Sequence, residues 1–176
     1  AEAGIEPFLF DGSEPGSALL KRLETVTHFI VSIAPDAAGD PVLNALGGAI
    51  VANMPALEWI GYLSTVGVYG DHDGAWVDEE TPCRPVSDRS VERLKAEEAW
   101  RALADSISKP LATLRLSGIY GPGRNTFVNL EDGSARRIIK PGQYFNRIHV
   151  ADIAGAAMLL AHQRAVQVPP RREVDV

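Results

Sequence analysis

The sequence predicts an α/β fold, a parallel sheet with helices on both faces, and three observations carry that prediction. Short apolar runs alternate with segments whose apolar residues recur at helical spacing. The runs are nearly continuous, as in His28 to Ile33, which suits strands buried on both faces. They end in glycine, proline or hydroxyl-bearing residues, which interrupt regular structure.

In chain order, Phe8-Leu9-Phe10 is a short strand closed by the turn pair Asp11-Gly12, and Leu19, Leu20 and Leu23 mark a helix. His28 to Ile33 is the second strand, ended by Ala34-Pro35. Val42, Ala45, Leu46 and Ala49 then follow helical spacing, with Asp40 as the N-cap and Pro41 in the first turn. Leu57 to Ser64 is the next strand, and Asp71 to Asp88 a long polar loop. Ala96, Ala99, Trp100 and Leu103 fall at i, i+3, i+4 and i+7, one face of a helix. Ala112 to Leu116 is a strand and Gly118 to Gly123 a glycine-rich turn. Ile153, Ala156, Ala157 and Leu160 repeat the helical spacing near the end, and no internal repeat is visible.

The composition sets bounds on function. With 176 residues, 45% hydrophobic and 23% charged, the chain is long enough for one domain with a real core. Seventeen Lys and Arg against twenty-three Asp and Glu leave a charge of -6, which argues against nucleic acid or an anionic membrane as partner. The single cysteine, Cys83, forms no internal disulfide or cysteine zinc site and fits a reducing cytoplasm. No apolar run approaches the ~20 residues that span a membrane. Ala1-Glu2-Ala3-Gly4-Ile5, without Met, reads like the middle of a longer chain.

In parallel sheets ligands lie beyond the carboxyl ends of the strands, which directs attention to four places. These are Asp11-Gly12, then Ser32, Ile33, Ala34 and Pro35, then Ser64-Thr65, and finally Leu116-Ser117-Gly118 onward to Gly121. Small residues there let a flat ligand approach the backbone, and hydroxyls supply hydrogen bonds, although the same residues also make tight turns. Asp71-His72-Asp73 with Asp78, Glu79 and Glu80 has the residues of a cation site. The residue twelve places into a calcium loop would be Pro82, so a solvated acidic loop and no metal is expected. Arg124, Arg136, Arg137, Lys140 and Arg147 form the one concentrated basic stretch, either a solvated face or a seat for phosphate oxygens.

Three ordered blocks resemble the extended short-chain dehydrogenase/reductases, the NAD-dependent epimerase/dehydratase proteins. They are Tyr62-Leu63-Ser64-Thr65-Val66-Gly67-Val68-Tyr69-Gly70-Asp71 with Asp78 to Pro82 and Pro85, Leu114 to Gly123, and Arg147 to Ala154. The resemblance runs from about Phe8 to Leu160. It implies a Rossmann-like, doubly wound α/β/α domain over residues 1–176, with the substrate-facing region starting at roughly 120–150. It implies NAD or NADP as cofactor, with Leu116 to Gly118 beside the nicotinamide. A sugar-like or nucleotide-sugar substrate is expected in the basic region, near Arg89, Arg124, Arg137 and Arg147. Members often form homodimers through helices flanking the sheet.

Two departures qualify the resemblance. The family's Gly-x-Gly-x-x-Gly turn, which seats the pyrophosphate at a helix N-terminus, is absent from this chain. By resemblance the first βαβ segment lies upstream of Ala1, and the chain is truncated at both ends; Pro169 to Val176 resembles neither strand nor helix. The family's Tyr-x-x-x-Lys pair is also missing, with Arg89 and Arg93 at those positions, and arginine cannot serve as a general base. Thr65 matches the hydroxyl that bonds the reacting oxygen, and Tyr69 is the candidate proton carrier. Three readings follow: an atypical NAD(P)-dependent oxidoreductase or epimerase, a non-catalytic NAD(P)-binding sensor or scaffold, or an inactive fragment.

Overall fold

Each predicted helix from residue 17 onward forms, and every one after the first starts at a side-chain cap. In the computed structural model, which describes residues 4–137, 139, 141–142 and 144–163, the elements in order are α1 (Ser17–Leu23), β1 (His28–Val31), α2 (Pro41–Asn53) and β2 (Trp59–Thr65). A 3₁₀ turn (Val66–Val68), α3 (Asp88–Ser106), β3 (Leu111–Leu116), β4 (Gly118–Tyr120), α4 (Thr126–Glu131), β5 (Arg147–His149) and α5 (Val150–His162) follow. Asp40 caps α2 as expected, its Oδ1 accepting from the Val42 and Leu43 amides at 2.9 and 3.0 Å, with Pro41 at the first position. Ser87 caps α3, Asn125 caps α4, and His149 caps α5 by accepting from the Ala151 amide.

β1, β2 and β3 form a parallel sheet in that order, and β4 pairs in parallel with β5. Along β2 successive side chains alternate between faces. Ile60 and Tyr62 point toward α2 and α3, where Phe29, Val31, Leu46, Ile50, Ala96 and Trp100 complete the core. Tyr62 and Phe29 both meet the Trp100 ring, with centroids 6.1 and 6.2 Å away. Trp59 lies on the other face, its ring tilted 43° to that of His28, whose Nε2 hydrogen-bonds the Ala161 carbonyl of α5. Gly61 is required there, because a Cβ would lie 2.4 Å from the Trp59 indole. Helices therefore lie on both faces of the sheet at β2 and β3, the three-layer arrangement the sequence predicts. Among the described residues, no helix is long and apolar enough to cross a membrane.

Three local expectations are corrected. Phe8 to Phe10 forms no strand, because no neighbour pairs with it: Leu9 is wholly exposed and only Phe10 packs on the core. The strand at His28 stops at Val31, and Ile30 is 48% exposed, because β1 is an edge with one face uncovered. The glycine-rich turn begins later than expected: Gly118–Tyr120 is extended and paired, and the chain turns between Gly121 and Arg124. Pro169 to Val176 lies outside the described residues.

Candidate functional site

The carboxyl ends of β2 and β3 stop level with each other, Thr65 opposite Leu116 in the last register pair. Beyond them the chain continues as the 3₁₀ turn on one side and Ser117-Gly118 on the other. Thr65 is half-buried, and its Oγ1 accepts the Gly67 amide at 3.2 Å. A hydroxyl has one proton to donate besides its lone pairs, and among the described residues nothing accepts that of Thr65. Its orientation is thus held while its donor stays free.

Below this edge lies a polar network that the sequence reading missed. Ser64, buried, donates its hydroxyl to Glu97 on α3, which is only 4% exposed. Arg115 of β3 reaches the same carboxylate, Nη2 at 2.8 Å and Nε at 3.2 Å from each oxygen. These bonds from Glu97 hold the arginine's pKa above its usual range, against the opposing effect of burial. Arg115 also sits 4.8 Å above the Tyr69 ring centroid, and Tyr69 is buried. One turn earlier on α3, Arg93 donates to the Tyr62 hydroxyl at 3.2 Å and to the Leu63 carbonyl at 3.1 Å. Burial pushes the Tyr62 phenol up, with Arg93 pulling the other way. The signal was present: Arg93, Glu97, Trp100 and Ala104 share one helical face, and Arg115 interrupts an apolar strand.

The other predicted residues are dispersed. Ser32, Ile33 and Ala34 are exposed beyond β1, and Pro35 is half-buried. Asp11 accepts from the Ser13 amide, and Gly12 packs on Pro41 at the start of α2, after irregular chain instead of a strand. Arg89 is exposed on the first turn of α3. Arg147 leads β5 beside Gly118, bonded to the Asn146 carbonyl and 5.3 Å from the Phe145 ring centroid. Arg124 closes the turn after β4, Arg137 is exposed, and Lys140 lies outside the described residues. A separate cavity of about 430 Å³ between the start of α2 and α3 is lined by Asp36, Asn44, Asp88, Glu92 and Lys95 and holds none of the predicted residues.

Ser117 and Gly118 are small and the Thr65 hydroxyl keeps a donor to give, a surface that a flat, hydrogen-bonding ring can approach. At α2, the Asp40 carboxylate already accepts the first amides, so that N-terminus repels a pyrophosphate.

Residues 52–175 match the model of the NAD dependent epimerase/dehydratase family. Among solved structures, the chain is 50% identical to a conserved protein of unknown function from Silicibacter pomeroyi DSS, covering 93% of this chain and 55% of that one, TM-score 0.81. It is 27% identical to a candidate NAD-dependent epimerase/dehydratase from Methylobacillus flagellatus, covering 96% and 60%, TM-score 0.69. It is 26% identical to MoeE5 in complex with UDP-glucose and NAD, covering 84% and 56%, TM-score 0.64. The chain thus spans little more than half the length of these proteins. No curated protein matches it.

Proposed function

The chain belongs to the NAD dependent epimerase/dehydratase family, and from that premise we propose that it serves an atypical NAD(P)-dependent oxidoreductase or epimerase. The substrate is a sugar-like molecule or nucleotide sugar carrying a hydroxyl or keto group. The observation that carries this reading is the free Thr65 donor level with Leu116 at the strand ends. Thr65 donates to the substrate oxygen, while Leu116, Ser117 and Gly118 flank the nicotinamide. The cofactor, when bound, supplies or accepts hydride. Arg89, Arg124, Arg137 and Arg147 offer bidentate donors to substrate phosphates. The UDP-glucose and NAD held by MoeE5 support this substrate class and cofactor. Tyr69 is the candidate proton carrier of this reading, from its place beside Arg115.

A second reading, a non-catalytic NAD(P)-binding sensor or scaffold, is favoured by Arg93. At the position of the family's lysine, its Nη1 donates to the Tyr62 hydroxyl and the Leu63 carbonyl. Calorimetric titration with NAD(H) and NADP(H), on this chain and on a form extended upstream, tests both. Without a pyrophosphate cradle the chain alone should bind more weakly than about 10 μM, roughly -7 kcal/mol. Tighter binding overturns that expectation, and no binding in either form overturns the cofactor reading. Turnover with nucleotide sugars separates enzyme from sensor.

A further inference from the structure

Glu97 touches neither strand end directly, yet it holds both. Ser64 and Arg115 are register partners on adjacent strands, immediately before the pair Thr65 and Leu116. Glu97 binds the two from α3, so it bridges across the ladder instead of along one strand. Side chains alternate along a strand. With Ser64 and Arg115 turned toward α3, Thr65 and Leu116 turn the other way. The grip comes from one side and the Thr65 side chain faces the other.

We propose that Glu97 is a positioning residue: through Ser64 and Arg115 it sets the relative level of the β2 and β3 ends, and thereby the Thr65 hydroxyl and the Leu116 to Gly118 backbone. Arg115 extends the hold to Tyr69, just past the turn that Thr65 caps. A buried ion pair adds little stability over a well-packed apolar pair, because desolvation offsets its attraction. What the charged arrangement adds is direction, since a carboxylate accepting from two strands fixes both laterally. The role assigned to the held atoms rests on the function proposed above; the holding itself does not.

Amide hydrogen exchange on the unliganded chain is the direct test. In Glu97→Gln, exchange at Gly67, whose amide bonds Thr65, and at Leu116 to Gly118 should quicken about tenfold, with α2 amides unchanged. A uniform rise, or no rise at Gly67, overturns the proposal. In the upstream-extended form, Glu97→Gln should weaken NADH about tenfold and ADP-ribose, which lacks the nicotinamide, less than about twofold. Equal weakening of the two overturns the proposal. If the unsubstituted protein binds neither ligand, the cofactor reading falls and hydrogen exchange alone decides the role of Glu97. If Glu97→Gln does not fold, Ser64→Ala removes one arm, keeps the Glu97–Arg115 pair, and should give the same pattern at about threefold.

Discussion

The α2/α3 side of the three-stranded sheet and the region built on β4 and β5 use apolar residues in opposite ways. On the first side, Ile50, Leu57, Ile60, Tyr62 and Trp100 are almost wholly buried, and one cluster joins both helices to the sheet. In the second, α4 buries no residue, with Phe127 81% and Leu130 62% exposed. α5 buries Ile153 and Ala157 against the sheet and leaves Val150, Met158 and Leu159 open. The difference shows that apolar periodicity makes a core only where two elements converge on it. Elsewhere the shape rests on local bonds: Asn125 and His149 as caps, and a three-residue ladder.

The comparison can be broken by substitution. Trp100→Ala should cost the most, about 3–5 kcal/mol in urea unfolding, since it empties a fully buried site and takes the indole N–H from Asp40. A loss under about 1 kcal/mol would mean that the core is looser than its burial indicates. Phe127→Ser or Leu130→Ser should change stability by no more than about 0.5 kcal/mol. A larger loss in the same assay would show that α4 is covered in solution and the contrast with α3 is false.

The smallest effect is expected from acid. Asp78 has its carboxyl held below the usual range by the Thr81 hydroxyl and by the Glu80 and Thr81 amides. A carboxyl with a lowered folded-state pKa stabilises above its unfolded value, and that contribution fades as pH falls through the folded one. Protection of the Glu80 and Thr81 amides, taken as exchange relative to the intrinsic rate at each pH, should therefore stay constant down to about pH 4 and fall only below it. Loss of protection near neutrality would assign the loop's order to another group.

Much of this architecture could be read from residue spacing. Asp40-Pro41 announced the start of α2, and the face through Ala96, Trp100 and Leu103 located α3. Phe8 to Phe10 misled because a three-residue apolar run fits a strand or a lone plug equally well, and only pairing decides. The site was legible where a side chain's own segment sets its role, as for Thr65 capping its turn. Of the Ser64–Glu97–Arg115 network only the separate signs were legible, a charge on a buried helical face and another within an apolar strand; their meeting was not, because the members lie on three elements and join only after the sheet has formed.

Parallel pairing throughout the described strands has a consequence for how the chain reaches this shape. His28 must find Trp59, Ile60 must find Leu111, and Gly118 must find Arg147, each across an intervening helix. None of these strands can zip onto its neighbour through a tight hairpin. Every ladder bond is bought with the entropy of closing a long loop, so helix collapse has to shorten the search first. Until it does, the edge of β2, the most buried strand of the sheet once folded, is open to any other strand that passes.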